Sequence, residues 1–244
     1  MRVAVVTPYF DEPVEWLRRG HESVLGQGVD ATHFLVADGR PDATVASWDC
    51  QHIVLCRNHA DWGNTPRMAG GLSAASQGFD AVAYLDADDW FLDGHLASLL
   101  ALAERGEGEL CTSRRLLHRI DGTAIGPCTR VDGTTTVDGS GMLLTRTAFA
   151  VLGVWCLVPP DVVRDAPQTV LGYLQLRRRS IATTGRATVA SRQRSRQMNP
   201  QMPPSRWDGH LRDEPPRDPA AARRWWHTLT IADRTAYIRR MGAD

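Results

Sequence analysis

Lysine is absent from this sequence, so all 28 of its basic residues are arginines, set against 28 Asp and Glu. The formal net charge is zero. That balance argues against a general nucleic-acid coat or a surface steered strongly to membranes. Arginine without lysine fits a GC-rich coding composition; a need for bidentate anion contacts is the sharper alternative, and the compositional reading is preferred. Cysteine is also sparse. Cys50, Cys56, Cys111, Cys128 and Cys156 are scattered, odd in number and form no Cys-x-x-Cys pair. A zinc site and a disulfide framework are therefore not expected, and a reduced, cytoplasmic setting is. Long apolar runs are missing too. Val3-Ala4-Val5-Val6 is too short for a signal-peptide core, and no later run has the length to span a bilayer. A soluble protein is expected, with peripheral membrane contact left open. Finally, no Gly-x-Gly-x-x-Gly follows the first apolar run and there is no P-loop, which disfavours a dinucleotide fold or an NTPase.

What is present is a rhythm. Short apolar runs at Val3–Thr7, Phe34–Ala37, His52–Leu55 and Val82–Leu85 read as buried strands. Helical spacing recurs between them, over Val14–Leu25, Pro66–Gln77 and Leu92–Glu104. The alternation predicts an α/β fold: a Rossmann-like, mostly parallel sheet flanked by helices. Ligands of such sheets bind beyond the carboxyl ends of the strands. Those ends carry Pro8-Tyr9, Asp38-Gly39 and Asp86-Ala87-Asp88-Asp89. The second half is less regular, with strands expected at Leu110–Arg119 and Thr134–Val137, a short helix at Arg146–Leu152, a helix at Asp165–Leu176 and an extended run at Ile181–Ala190. Beyond it lie a stretch rich in Pro, Gln, Arg and Asp and a helical pattern over Pro219–Met241. The organisation expected is a domain over 1–191, with a regular part over 1–105 and a less regular part over 106–191, then a basic, Pro-rich arm with a helical segment over 192–244.

The acidic cluster carries the strongest chemical signal. Three carboxylates within four residues repel one another and resist desolvation. A divalent ion would neutralise them, and oxygen-only donors point to Mg²⁺ or Mn²⁺. An Asp capping the next helix explains any one of the three, but not all of them directly after a buried strand. Asp38-Gly39 alone is an ordinary turn signal. Its alignment with the cluster across one crevice gives it a second reading, as a carboxylate accepting from a nucleobase N–H.

These stretches resemble family 2 glycosyltransferases of the GT-A type in chain order. Thr7-Pro8-Tyr9-Phe10 is similar to the end of the family's opening strand, and Ser23-Val24-Leu25-Gly26-Gln27 to the close of its first helix, Ser-Val-Leu-x-Gln. Phe34-Leu35-Val36-Ala37-Asp38-Gly39 resembles Val-Val-Asp-Asp-Gly with Ala37 in place of the first Asp. Arg67, Ala74, Gly78 and then Tyr84-Leu85-Asp86-Ala87-Asp88-Asp89 match the approach to its DXD motif. The series covers about the first 105 residues.

The resemblance implies a metal-assisted, inverting transfer of a sugar from a nucleotide-diphosphate donor to an acceptor hydroxyl. A UDP-sugar is favoured, a dTDP-sugar is the other option, and the acceptor is a glycan, a lipid-linked sugar or a small molecule. It also implies roles. Asp38 contacts the base beside the Pro8-Tyr9 backbone, Arg67 lies on the nucleotide side, and Asp86 and Asp88 serve ribose and metal. Asp88 is the first choice for metal ligand, with Asp89 close by. The family's general base opens a helix in the second half, where Asp165 is the best match and Asp161 a nearby competitor; a plain helix-capping carboxylate explains Asp165 about as well. Ser140-Gly141-Met142 resembles the small residues beside the donor sugar. Arg192, Arg194, Arg196 and His210 sit where related arms close over the diphosphate, although a solvated loop is the preferred reading for each. Two alternatives remain: a sugar-1-phosphate nucleotidyltransferase, disfavoured by the acidic, glycine-free Thr7–Glu12, and a non-catalytic nucleotide-sugar-binding protein.

Overall fold

The computed structural model describes residues 1–158 and 160–193, together with Thr230 and Ala232. The arm residues Arg194, Arg196 and His210 and the helical pattern over 219–241 lie outside the described residues. In the first half, β1 (Val3–Tyr9), β2 (Ala31–Ala37), β3 (Gln51–Val54) and β4 (Ala81–Tyr84) form a parallel block in the order β3-β2-β1-β4. Helices α1 (Val14–Leu25) and α2 (Asn64–Ser76) lie between successive strands. The second half contributes β5 (Trp90–Phe91), α3 (His95–Glu104), β6 (Leu110–His118), β7 (Ala124–Pro127), β8 (Met142–Thr145), α4 (Ala166–Leu176) and β9 (Ile181–Arg192). The sheet continues from β4 as β8-β6-β9-β5, with β7 on β6. Strand β8 runs antiparallel to both neighbours, whereas β6 and β9 are parallel.

Alternation along β1 explains its unbroken apolar run. Val3 and Val5 pack with Val24, Leu96 and Leu99 on one face, while Ala4 and Val6 join Phe34, Tyr84, Leu152 and Trp155 on the other. A strand covered on both faces has no polar side. Helix α2 reaches the sheet at backbone distance. A Cβ on Gly70 would lie 2.5 Å from Val6 Cγ1 and 3.0 Å from Val36 Cγ2, so only glycine fits there.

The Ser-Val-Leu-x-Gln stretch proves to be a latch. Ser23 Oγ accepts from Phe91 N (3.0 Å), Gln27 Nε2 donates to Leu92 O (3.2 Å), and Gln27 Oε1 accepts from Leu96 N (3.0 Å). Ser23 of α1 and Gln27 just beyond its end thus fix the segment that follows the acidic turn and satisfy backbone groups on both sides of the α3 entry.

The second half departs from expectation in several places. Residues 134–137 form a turn, because Asp132 Oδ1 accepts from the backbone N of Thr134, Thr135 and Thr136 at 2.8–2.9 Å. This local side-chain bonding outcompetes a strand ladder. Trp90–Phe91 pairs antiparallel with β9, which delays the helix expected from Leu92 until His95. The helix expected over Arg146–Leu152 is instead a longer series of 3₁₀ turns, Arg146–Leu157. Strands β5, β7 and β8 were not expected; each is four residues or fewer, too short to carry a periodic signal.

Two histidines are wholly buried in this frame. His33 Nε2 is 2.8 Å from Thr7 Oγ1 and its Nδ1 is 2.9 Å from His21 Nδ1, while His95 Nδ1 is 2.8 Å from Thr188 Oγ1. Burial, with His21 beside His33, pushes the pKa of each down from 6.5 to about 3. The unfolded chain therefore binds more protons than the folded one between these values, so stability falls as pH drops below about 6.5. We expect a loss on the order of 2 kcal/mol per histidine at pH 5, read as a falling Tm between pH 7 and pH 5. A Tm unchanged over that range would refute neutral burial of the pair.

Candidate active site

Asp38, Arg67 and the acidic turn meet at the carboxyl ends of β1, β2 and β4. Asp38 follows β2, and its N–H donates to Tyr9 O at 2.8 Å. Its carboxylate is buried under one residue: His59 Nδ1 lies 2.6 Å from Oδ1, and His59 N donates to Oδ2 at 3.1 Å. Gly39 makes this closure feasible. It adopts φ +83°, and a Cβ there would meet the Arg57 carbonyl carbon at 2.3 Å. The Tyr9 ring turns away into a small core with Leu17 and Val45. Its hydroxyl accepts from Asp42 N (3.2 Å) and lies 2.6 Å from His52 Nε2. Burial raises its pKa, so Tyr9 offers the crevice its backbone rather than an acidic phenol. Pro8 is buried against Gly63, just before α2.

Arg67, in the first turn of α2, is buried and ion-paired with Asp86 Oδ1. The same guanidinium donates to Trp62 O at 2.8 Å and lies over the Trp155 ring, 5.3 Å from its centroid. Asp86 N donates to Ser140 Oγ (3.0 Å), and Ser140 Oγ donates in turn to Asp89 Oδ2 (2.8 Å). This wholly buried serine ties the acidic turn to the segment before β8, a role the sequence reading of Ser140 as a donor-sugar neighbour did not contain. Asp138, two residues earlier, pairs with Arg115 on β6. Sidechain oxygens of Asp86, Asp89 and Asp138 lie within 4.8 Å of one another. Burial, then the charges of Asp88, Asp86 and Asp138, raise the Asp89 pKa well above its usual range.

The donor set is oxygen-only, with Asp86 and Asp138 paired to Arg67 and Arg115 and Asp89 held by Ser140 and the Arg192 backbone, and oxygen donors suit a hard divalent ion. Oxygens around Mg²⁺ at about 2.1 Å stand no more than roughly 4.2 Å apart, so small side-chain shifts would close the group on an ion. Asp138 was not recognised from the sequence: it lies 49 positions beyond Asp89, in a stretch without periodic pattern. Asp88, the first choice from sequence, is half-buried on the same turn but is not one of the three. Its backbone O accepts from Arg192 Nη1, and Arg192 N donates to Asp89 Oδ1 at 3.2 Å. Arg192, read as the first residue of the arm, is thus a buried strand residue bracing the acidic turn.

Asp165 stands directly before α4, and its side chain makes no capping hydrogen bond to that helix. The segment around it is pinned at both ends. Asn64 Nδ2 donates to Val163 O (2.9 Å), and Gln168 Nε2 donates to Val137 O (2.9 Å). Asn64 opens the helix that carries Arg67, and Val137 precedes Asp138, so Asp165 is held on an edge joined to both sides of the site. Beside it, the Arg164 guanidinium stacks 3.7 Å from the centroid of the half-exposed Trp62 ring.

The model of the glycosyl transferase family 2 matches residues 4–152, more than half of the chain. No curated protein matches the sequence. Among solved structures, that of S. aureus TarS 1-349 in complex with UDP superposes with a TM-score of 0.60 at 13% identity, covering 81% of this chain and 62% of that one. The complex of the same protein with UDP-GlcNAc gives 0.62 at 13% identity, covering 80% and 59%. The chain thus spans less than two thirds of the TarS chains it resembles, and at this identity the likeness is one of fold: the GT-A arrangement of a mixed α/β sheet.

Proposed function

This chain belongs to glycosyl transferase family 2, and we propose that it transfers a sugar from a uridine diphosphate donor to an acceptor hydroxyl with inversion. One observation carries the reading: the Asp38 carboxylate, the Arg67–Asp86 pair and the Asp86, Asp89 and Asp138 oxygens converge at the carboxyl ends of adjacent strands. Parallel α/β sheets bind nucleotides there. The TarS complexes with UDP and UDP-GlcNAc support a uridine donor on the same fold. The base lies at the Asp38 end, beside the Pro8-Tyr9 backbone, and the ribose lies toward Asp86 and Arg67. Asp86, Asp89 and Asp138 would hold Mg²⁺ or Mn²⁺, which when bound would supply positive charge for the departing diphosphate. Arg67 orients Asp86 through their ion pair, and Ser140 keeps Asp89 aligned with it. Asp165 takes the proton of the acceptor hydroxyl, and attack on the face opposite the diphosphate inverts the anomeric carbon. The organisation into a donor half over 1–105, an acceptor half over 106–191 and an arm over 192–244 belongs to the same proposal.

Thermal shift with UDP tests it. Ligand at a hundredfold excess over Kd stabilises by about 2.7 kcal/mol. We expect UDP to raise Tm clearly with Mn²⁺ or Mg²⁺ and much less with EDTA, and a UDP-sugar to release UDP on incubation with acceptor. Equal shifts in metal and EDTA would remove the ion from the proposal. Release of pyrophosphate from UTP and a sugar phosphate would indicate a nucleotidyltransferase instead.

A further inference from the structure

We propose that His59, rather than Asp38, is the side chain that reads the nucleobase, and that Asp38 is its positioning residue. The inference rests on the uridine-donor reading above and deepens it by assigning the base contact to an atom. Both Asp38 oxygens already accept from His59, one from the ring and one from the backbone. The side chain of Asp38 is 6% exposed and that of His59 22%, so the imidazole covers the carboxylate and presents the outer surface of the pair. A carboxylate can only accept, so the ring nitrogen facing it, Nδ1, carries the hydrogen. In the uncharged tautomer that this contact sets, Nε2 is an acceptor. Nε2 has no hydrogen-bond partner among the described residues and is not among the buried polar atoms left unpaired. The backbone makes this orientation hard to escape. Gly39 packs on the Arg57 and Asn58 backbone just before His59, and Asn58 Oδ1 accepts from Ala60 N at 2.7 Å just after it.

An acceptor at this place selects for a base that carries a hydrogen on the facing ring nitrogen. Uracil and thymine have N3–H, whereas cytosine has a bare N3. His59 therefore favours uridine and thymidine diphosphates over cytidine diphosphate, and Asp38 contributes by fixing tautomer and ring orientation.

Titration calorimetry of UDP and CDP binding to the wild type, His59→Phe, His59→Gln, Asp38→Asn and the His59→Phe/Asp38→Asn double variant, in the presence of Mn²⁺, decides the matter. The ratio of UDP to CDP affinity is the telling readout, since a merely structural role for His59 would weaken both ligands together. We expect His59→Phe to lose tenfold or more in UDP affinity while CDP changes little, so that the ratio collapses. His59→Gln, whose amide can donate to Asp38 and accept from the base, should recover part of the ratio. The double variant should be no worse for UDP than the weaker single one, because the two residues act as one unit. Melting curves without nucleotide report whether each variant folds, and His59→Gln keeps a donor for Asp38 where His59→Phe does not. A UDP to CDP ratio that survives in His59→Phe or His59→Gln and falls only in Asp38→Asn overturns the proposal in favour of direct contact by Asp38. No nucleotide binding by the wild type overturns the uridine-donor reading beneath it.

Discussion

Replacing Asp165 with Asn is expected to lower sugar transfer by about 10²-fold or more while leaving UDP affinity and folding intact. A positioned base typically contributes 10²–10⁴-fold to such a step. The Asp165 side chain makes no capping hydrogen bond to α4, so the amide costs the helix no cap. The pinning of its segment by Asn64 and Gln168 runs through backbone carbonyls and also survives the change. Single-turnover transfer with saturating donor is the measurement, with UDP binding as the control. Should Asp161→Asn silence transfer and Asp165→Asn not, the base belongs to the other carboxylate. If neither variant slows transfer, general-base catalysis from this edge is wrong.

Trp155→Ala is the other change with a large expected effect, this time on stability. Trp155 is wholly buried, donates from Nε1 to Tyr84 Oη at 2.9 Å, and packs edge-on against the Tyr84 ring at 4.9 Å. Removing a buried tryptophan costs about 3–5 kcal/mol, and the Tyr84 hydroxyl would lose its partner in the core. At 2–4 °C per kcal/mol for a domain of this size, Tm should fall by roughly 6–20 °C. Trp155→Phe keeps most of the volume and should lose much less. Because Arg67 lies over the same ring, Trp155→Ala should also weaken nucleotide binding in whatever fraction stays folded. A Tm within 2 °C of wild type, a margin set at roughly the shift of a 1 kcal/mol change, would mean that the 146–157 segment does not carry the core.

Both variants probe the joint between the two halves, and that joint divides what was legible in the sequence from what was not. In the first half, the apolar runs, the helical spacing and the acidic turn each sit within a few residues of their structural positions. Strands covered on both faces leave continuous apolar runs, and α1 coincides with its expected span, Val14–Leu25. In the second half, the signal was weak because the elements are brief or locally determined. The Asp132 turn replaced a strand through hydrogen bonds to its own neighbours, and β8 is a four-residue strand placed between β4 and β6 by long-range pairing.

The same division holds at the site. From the sequence pattern came the α/β class and the candidates Asp38, Asp86, Asp88 and Asp89, because each lies at a strand end whose period is visible locally; the order of motifs along the first 105 residues and the choice of Arg67 came with the resemblance to family 2 glycosyltransferases. Only the tertiary structure joined Asp138 to Asp86 and Asp89, set Ser140 between the acidic turn and β8, buried Arg192 beneath Asp88, and laid His59 over Asp38. None of these pairings has a sequence period. They arise where distant segments must satisfy buried carboxylates that the local chain leaves without partners, and burial makes an unpaired charge too costly to keep.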